Sequence, residues 1–457
     1  MPPLFCCLYA QKMELFVKRL ARTLIYCSLF NLISLHAYAE NLPKNNHSWR
    51  NPTPMLAALG IKAKQLESLL NGGQFLLIHN KKELSYKKKQ VQNTYMARFV
   101  SCATLINAPF NEVKQTLRAF DQYPLFIPNV KKLRVRQISQ TVKVVDYTMA
   151  PKIPLARAKL HYVMEYTFDD AGGINWRAID GDLSAALGRW ELFPINDSQT
   201  IAVLTTWAQL ENLGMVLGTI MKAQPDLHTM APAMQASLQV EGTRAYIENK
   251  LGTAAASKLT KFNSPPPSIA SRHTDTLNKL SAQGTLLFVH PPETVKTEHG
   301  LIHRQYISAG KKLRHPPQRI IPLSSDFNNY PLFFPQYKHV KVKPHKDGMK
   351  TDWQIKVGLG IFSISLDYTL DYHWQAPNSL SFKLIQGDIE EIKGRWEWIR
   401  TPEDETLLFY TTTLSVGKDA PFIIRLTADI PNHQTYSGIF MSTSMVEKQS
   451  AWLNEQL

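Results

Sequence analysis

Cysteine is almost missing from this chain. Four occur in 457 residues, and Cys6, Cys7 and Cys27 all fall within the first 39. A chain keeping only Cys102 forms no internal disulfide and has to hold itself together by packing. Cys102 itself reads as a small buried residue. Acidic residues are also short, 37 against 52 Lys and Arg, for a formal charge of +15. Beyond the first 39 residues no run approaches the ~18 apolar residues of a membrane-spanning helix. The chain lacks Gly-x-Ser-x-Gly, His-Glu-x-x-His, Gly-x-x-x-x-Gly-Lys and Cys-x-x-Cys, so nothing points to a hydrolase elbow, a zincin helix, a phosphate-binding loop or a redox pair. No cofactor and no metal are expected. His299 and His303 stand four apart beside Glu298, but in a strand-like segment with no counterpart elsewhere in the chain. What is present is an ordinary globular balance, 44% hydrophobic and 19% charged, which excludes a disordered or fibrous protein.

The first 39 residues have the layout of a signal peptide. Lys18, Arg19 and Arg22 precede an apolar stretch, Thr23 to Leu35, and Ala37-Tyr38-Ala39 supplies the small residues of a cleavage site. Met13 serves as a start as well as Met1, because residues 1–12 add nothing to this layout. Export to a periplasm follows as an expectation. Losing the leader's four cations and one anion leaves a mature charge of +12. Nucleic acid is not the natural partner of an exported protein, and a peripheral contact with anionic membrane headgroups is.

The chain repeats itself. Tyr123-Pro124-Leu125-Phe126-Ile127-Pro128 returns as Tyr330-Pro331-Leu332-Phe333-Phe334-Pro335. Gly188-Arg189-Trp190-Glu191 returns as Gly394-Arg395-Trp396-Glu397, and Gly181-Asp182 as Gly387-Asp388. Gly73 to His79 matches Gly284 to His290. A period above 200 residues means a duplicated domain, not a solenoid. Residues 40–53 read as a loose segment, 54–251 as domain 1 with a helical extension at its start, 252–271 as a stiff Pro-rich linker around Pro265-Pro266-Pro267, and 272–457 as domain 2.

The first domain opens with a helix, near Met55 to Leu70. A strand over Phe75–His79 and another over Tyr95–Ile106 follow, then an Asn111-capped helix and a short Pro-bracketed one. The middle is sheet. From Arg157 to Phe168 the pattern alternates, with Leu160, Tyr162, Met164, Tyr166 and Phe168 on one side. Phe362 to Trp374 does the same, with Leu366, Tyr368, Leu370 and Tyr372 opposite Asp367, Thr369, Asp371 and His373. One buried and one wet face imply an antiparallel sheet. The wet faces differ in charge, Arg157 and Lys159 against Asp367 and Asp371, which would let them attract each other. Each domain closes on a long helix, from Pro225 or Pro232 to Leu251 and from Pro431 to Leu457.

Ile106-Asn107-Ala108-Pro109 with Val113, then Tyr123-Pro124 with Pro128, then Gly188-x-Trp190 resemble, in that order, the START-like (SRPBCC) superfamily in its polyketide-cyclase and coenzyme-Q-binding branch. The second copy departs where Arg314-His315-Pro316-Pro317 replaces Asn107-Ala108-Pro109-Phe110. The resemblance implies an α+β helix-grip fold, here two in tandem, each a curved antiparallel sheet wrapped on a long C-terminal helix. It also implies a hydrophobic cavity between sheet and helix for a lipid, an isoprenoid quinone or a polyketide. Tyr162, Met164, Tyr166, Trp190, Met234 and Leu238 would line the first cavity, and Tyr368, Leu370, Tyr372, Trp396, Phe440 and Met441 the second. Buried Tyr and Trp bring polar tips that need partners, which a cavity with a few hydroxyls supplies. Arg189 and Arg395 are headgroup candidates, with an ion pair to Glu191 and Glu397 as the plainer reading. His79 and His290 recur at strand ends, and Asp388, Glu390 and Glu391 read as a solvated turn. The function expected is a non-catalytic carrier. A cyclase or dehydratase-like enzyme using a Tyr or His, and an interaction module with collapsed pockets, are the alternatives.

Overall fold

Apolar runs of strand length, broken by Gly and Asn turns, make this chain mostly sheet. The computed structural model describes residues 51–70, 72–150, 152–153, 156–157, 159–169, 171–210, 226–255, 258–270, 274–297, 300–359, 362–375, 378–416 and 432–457. The expected leader and residues 40–50 lie outside them. The first half contains α1 (Ala63–Leu70), β1 (Gln74–His79), β2 (Lys82–Lys88), β3 (Val91–Ala97), β4 (Val100–Ile106), α2 (Phe110–Arg118) and α3 (Tyr123–Phe126). It continues with β5 (Val130–Gln137), β6 (Val142–Met149), the short β7 (Lys152–Ile153) and β8 (Ala156–Arg157), then β9 (Leu160–Phe168), β10 (Ile174–Gly181), β11 (Ala186–Asn196), β12 (Gln199–Ala208) and α4 (Leu227–Leu251). The second half contains β13 (Lys258–Lys261), α5 (Thr274–Ser281), β14 (Gly284–Val289), β15 (Glu293–Thr297), β16 (Gly300–Arg304), β17 (Ile307–Leu313), α6 (Pro317–Ser324) and α7 (Tyr330–Phe333). It ends with β18 (Tyr337–His345), β19 (Gly348–Leu359), β20 (Phe362–Gln375), β21 (Ser379–Gly387), β22 (Glu391–Arg400), β23 (Thr406–Ser415) and α8 (His433–Gln456).

The two halves form one sheet. Its order is β18-β19-β20-β21-β22-β23-β17-β14-β1-β4-β12-β11-β10-β9-β6-β5, eight strands from each half. The join is the antiparallel pair β1–β14, where Leu76 faces Leu287. The repeated segments Gly73–His79 and Gly284–His290 therefore pair with each other about a local two-fold. Leu76 and Ile78 belong to a core shared with Leu287 and Val289, while Phe75 and Leu77 belong to a second core on the opposite face with Leu286 and Phe288. Both central strands are buried on both faces, and for that reason they read as unbroken apolar runs.

One face carries α4 and α8, each packed on its own half's strands and on each other. The opposite face is covered at its centre by α1 and α5, through Leu66, Leu69, Leu70, Leu277 and Leu280. The outer strands keep a wet face, and β20 alternates as expected, with Leu366, Tyr368, Leu370 and Tyr372 buried.

Several local expectations differ. The opening helix is broken: a single turn at Ala57–Leu59 ends on Gly60 at φ 65°, and α1 starts afresh at Ala63. The strand expected over Tyr95–Ile106 is two, because β3 leaves the main sheet to pair with β2 while β4 pairs with β1 and β12. The first domain's helix begins at Phe110 behind Pro109, so Asn111 lies within it and not at its cap. Pro232 lies inside α4, and Pro225 and Pro431 fall outside the described residues. The Pro-rich stretch is bound down rather than spanning solvent: β13 pairs with β15, and Ile269 is fully buried in the second core.

Candidate functional site

The helix-covered face of each half is where the alternation places its tyrosines. In the first half Met164 and Tyr166 on β9 and Trp190 on β11 are buried in the main core, and Tyr162 and Met234 pack against it. The Tyr147 and Tyr166 hydroxyls are 2.9 Å apart, the Tyr147 and Tyr162 rings 5.4 Å, and Phe120 lies 4.5 Å from Tyr166. In the second half Tyr368, Leu370, Tyr372 and Trp396 are buried in the same core. Trp396 contacts Tyr410 at 4.5 Å and Tyr372 contacts Phe327 at 4.4 Å. Burial pushes the hydroxyls of Tyr162, Tyr166, Tyr368, Tyr372 and Tyr410 well up, so they stay neutral donors at any physiological pH. Several fully buried oxygens of the second half, Thr351 Oγ1 and Gln449 Oε1 among them, have no hydrogen-bond partner among the described residues.

Other expected lining residues are placed apart. Leu238 faces a pocket of about 410 Å³ at the junction of the halves, with Gln74, Glu241, Arg244, His290 and Gln305. Phe440 and Met441 are half-buried on α8 and are not among the residues packed on the main core. A second space, about 730 Å³ and open, lies against β18–β21 and touches Tyr368. The segments linking β12 to α4 and β23 to α8, residues 211–225 and 417–431, fall outside the described residues.

Arg189 and Arg395 point away from the tyrosines, because strand alternation puts them opposite Trp190 and Trp396. Arg189 Nη2 donates to Asp169 Oδ2 at 2.9 Å and Nη1 to Asn175 Oδ1 at 3.0 Å. Arg395 Nη2 donates to Ser379 Oγ at 2.8 Å, and its Nε lies 3.8 Å from Glu397. Neither arginine is placed to hold a headgroup within the sheet–helix interior. The repeated glutamates are clamps. Glu191 accepts the backbone N–H groups of Leu56 and Ala57, and Glu397 accepts those of Ile269 and Ala270 with the Ser268 hydroxyl, so each fixes the segment leading into its own half. The glycine of the motif is steric: a Cβ at Gly188 would meet the Trp176 ring at 2.2 Å, and one at Gly394 the Phe382 ring at 2.3 Å.

The Gly-Asp pairs lock matching bulges, with Asp182 accepting His161 N–H at 2.7 Å and Asp388 accepting Asp367 N–H at 2.8 Å. The acidic turn after it is not simply solvated, since Glu391 holds the fully buried Arg304, whose Nε lies at 3.1 Å. Glu298 and His299 fall outside the described residues, and His303 is exposed.

The paired histidines belong to a relay that sequence reasoning missed. His79 Nε2 lies 2.8 Å from Ser101 Oγ, which lies 2.7 Å from Thr205 Oγ1. His290 repeats this with Ser308 at 2.8 Å and Thr411 at 2.6 Å. Burial, helped by Lys82, drives the His79 pKa down to about 4, so the ring is neutral. Both relays lie on the face opposite the tyrosines, following Phe75 and Leu77, so neither histidine joins the tyrosine clusters, and His290 borders the junction pocket instead. The matching His, Ser and Thr positions were the available signal, but spread over three strands.

Residues 313–429 match the family model described as "Polyketide cyclase / dehydrase and lipid transport". The second half is a START-like domain of this kind, and the first repeats its fold. The fold is one that binds hydrophobic ligands. No curated protein matches the chain. Solved structures similar to it include the di-domain ARO/CYC BexL of the BE-7585A biosynthetic pathway, at 11% identity and TM-score 0.27, covering 78% of this chain and 98% of that one. The Zhui aromatase/cyclase from a Streptomyces species is 19% identical at TM-score 0.29, covering 34% and 96%. A STAR-related lipid transfer protein from Xanthomonas axonopodis is 14% identical at TM-score 0.26, covering 36% and 98%. Likenesses this low carry no function to this chain.

Proposed function

We propose that this protein is an exported, non-catalytic carrier of a hydrophobic molecule held between sheet and terminal helix, in the half that begins at α5 above all. The observation that carries this reading is the interior of that half. Tyr368, Tyr372 and Tyr410 bury neutral hydroxyls within its apolar core, and Thr351 and Gln449 add buried oxygens that have no partner among the described residues. An oxygen left so costs about 1–3 kcal/mol, and a ligand with one or two polar groups on an apolar body removes that cost. Apolar area would drive binding, at about 25 cal/mol per Å² removed from water. An isoprenoid quinone, a lipid or a polyketide has this chemistry.

Peripheral membrane contact fits the two ends of the sheet. Edge strand β5 exposes Lys131, Lys132 and Arg134, and edge strand β18 exposes Lys338, Lys341 and Lys343. Beside them, Leu125 on α3 and Leu332 on α7 are each 70% exposed. Among the described residues no helix is long and apolar enough to cross a membrane.

Native mass spectrometry and solvent extraction of the mature protein test the reading. Co-purification of a lipid or quinone at near one per chain is expected, with loss on Tyr368→Phe/Gln449→Leu. A protein that is empty and binds none of these when loaded overturns it. Sedimentation with vesicles of anionic lipid, weakened by Lys131→Glu/Lys132→Glu, tests the membrane contact, and the N-terminal residue of the secreted protein tests export.

A further inference from the structure

On the wet face of the second half, the side opposite the tyrosines, three metal-ligating side chains meet, two from one strand and one from a strand two places away. His345 ends β18, and Asp371 and His373 lie on β20. Strand β19 runs between β18 and β20, and its first residue, Gly348, is the register partner of both His345 and His373. A glycine has no side chain to separate the two rings, and they stand 5.1 Å apart, centre to centre. Asp371 lies two residues before His373, on the same side of the strand. Its Oδ1 is 3.1 Å from His345 Nε2 and its Oδ2 is 2.9 Å from His373 Nε2.

We infer that His345, Asp371 and His373 form a binding site for a divalent transition-metal ion of the zinc type. All three ligand atoms lie within 4.8 Å of one another. A tetrahedral ion with bonds of about 2.0–2.1 Å holds its ligands roughly 3.3 Å apart, so a small closing of the set suffices. Two imidazoles and one carboxylate suit zinc, copper or nickel, whereas magnesium and calcium prefer oxygen alone. Each imidazole now directs Nε2 at one oxygen of a single carboxylate, which is the arrangement a cation entering between them converts to three bonds, each neutral ring moving its proton from Nε2 to Nδ1 through solvent and any imidazolium releasing its extra proton. Three protein ligands leave a coordination position open.

The side chains are reachable, at 29%, 14% and 43% exposure for His345, Asp371 and His373. Burial tends to raise the Asp371 carboxyl, and hydrogen bonds from His373 and His345 outweigh it and hold it below the usual carboxylate range, so the anion is in place. Two features work against the ion. Lys350 and Lys383 are the register partners of Asp371 on the neighbouring strands. The Asp347 N–H, 3.4 Å from His345 Nδ1, is a contact that metal binding would break.

The test is calorimetric titration of the full mature chain with zinc chloride in metal-free buffer. One site per chain is expected. His345→Gln, Asp371→Asn and His373→Gln should each weaken it by about a hundredfold or more, beyond the ~10–100-fold that outer-shell changes cost. Binding should also weaken in acid, where protons compete with the ion for the ligand atoms. With Cu²⁺, electron paramagnetic resonance should show two imidazole nitrogens in the native chain and none in the His345→Gln/His373→Gln variant. The variants keep wet-face polarity, so an unchanged circular dichroism spectrum is expected. Zinc binding of native strength in that double variant, or a copper spectrum it does not alter, overturns the assignment.

Discussion

Two corners of this molecule are related by the local two-fold, and only one of them is filled. Arg98, just before β4, donates through Nε to the His79 carbonyl at 3.2 Å, through Nη1 to Thr229 at 3.4 Å, and through Nη2 to Glu447 of α8 at 2.6 Å. Lys311 and Thr285 reach the same glutamate. In the matching corner Gln305 stands where Arg98 does. It donates to the His290 carbonyl at 3.1 Å and accepts from Thr435 at 2.5 Å. Glu241, the counterpart of Glu447, is left to Gln74 and Arg244. A shorter, uncharged side chain does not reach across the join, and the 410 Å³ pocket opens there. The duplication thus kept the contacts made within each half and let the charged contacts across the join diverge. Gly-Asp locks, glutamate clamps and His-Ser-Thr relays recur in both halves; the cross-join ion pair does not.

The largest test of that equivalence is in the core. Trp190→Ala and Trp396→Ala should each cost about 3–5 kcal/mol, measured as a shift in the denaturant midpoint. A large disagreement between them would mean that one interior is not packed like the other.

Next come the corners. Glu447→Gln should cost about 2 kcal/mol, because it leaves Arg98 and Lys311 facing an amide at a site only one-fifth exposed. Glu241→Gln should stay within about 0.5 kcal/mol. Burial tends to raise the Glu447 carboxyl, and Lys311, Arg98 and Thr285 together outweigh burial and lower it. Its folded value is thus depressed. The stabilisation is present above the ordinary glutamate range and is lost as pH falls through the lower folded value. Glu447→Gln should flatten that acid limb of the stability curve.

The last test runs the other way. Gln305→Arg should rebuild the missing pair with Glu241, shrink the junction pocket and raise stability by about 1 kcal/mol, read as a higher melting temperature. A neutral or negative result would show that the pocket's shape, and not the missing charge, separates the corners.

Much of the framework was legible. The duplication, the antiparallel alternation of β20, the long closing helices and the inward tyrosines all follow from spacing within one segment. The join was not legible. An apolar run such as Gln74–His79 tells that a strand is buried on both faces, but not that its partner is its own repeat. The roles of Arg189, Glu191 and Asp388 were hidden because their partners lie on segments far away in sequence. Asp371 and His373 were visible as a wet pair at spacing two, whereas His345 joins them only through the register of β18 and β19 around Gly348.

The sequence by itself determined which residues turn inward and that the domain occurs twice, because side-chain alternation and internal repetition are local properties of a chain. The tertiary structure decided that the two copies share one sheet, that their central strands are covered on both faces, and which charged groups meet across the join. Those depend on strand order and register, which short-range chemistry leaves open and long-range packing fixes.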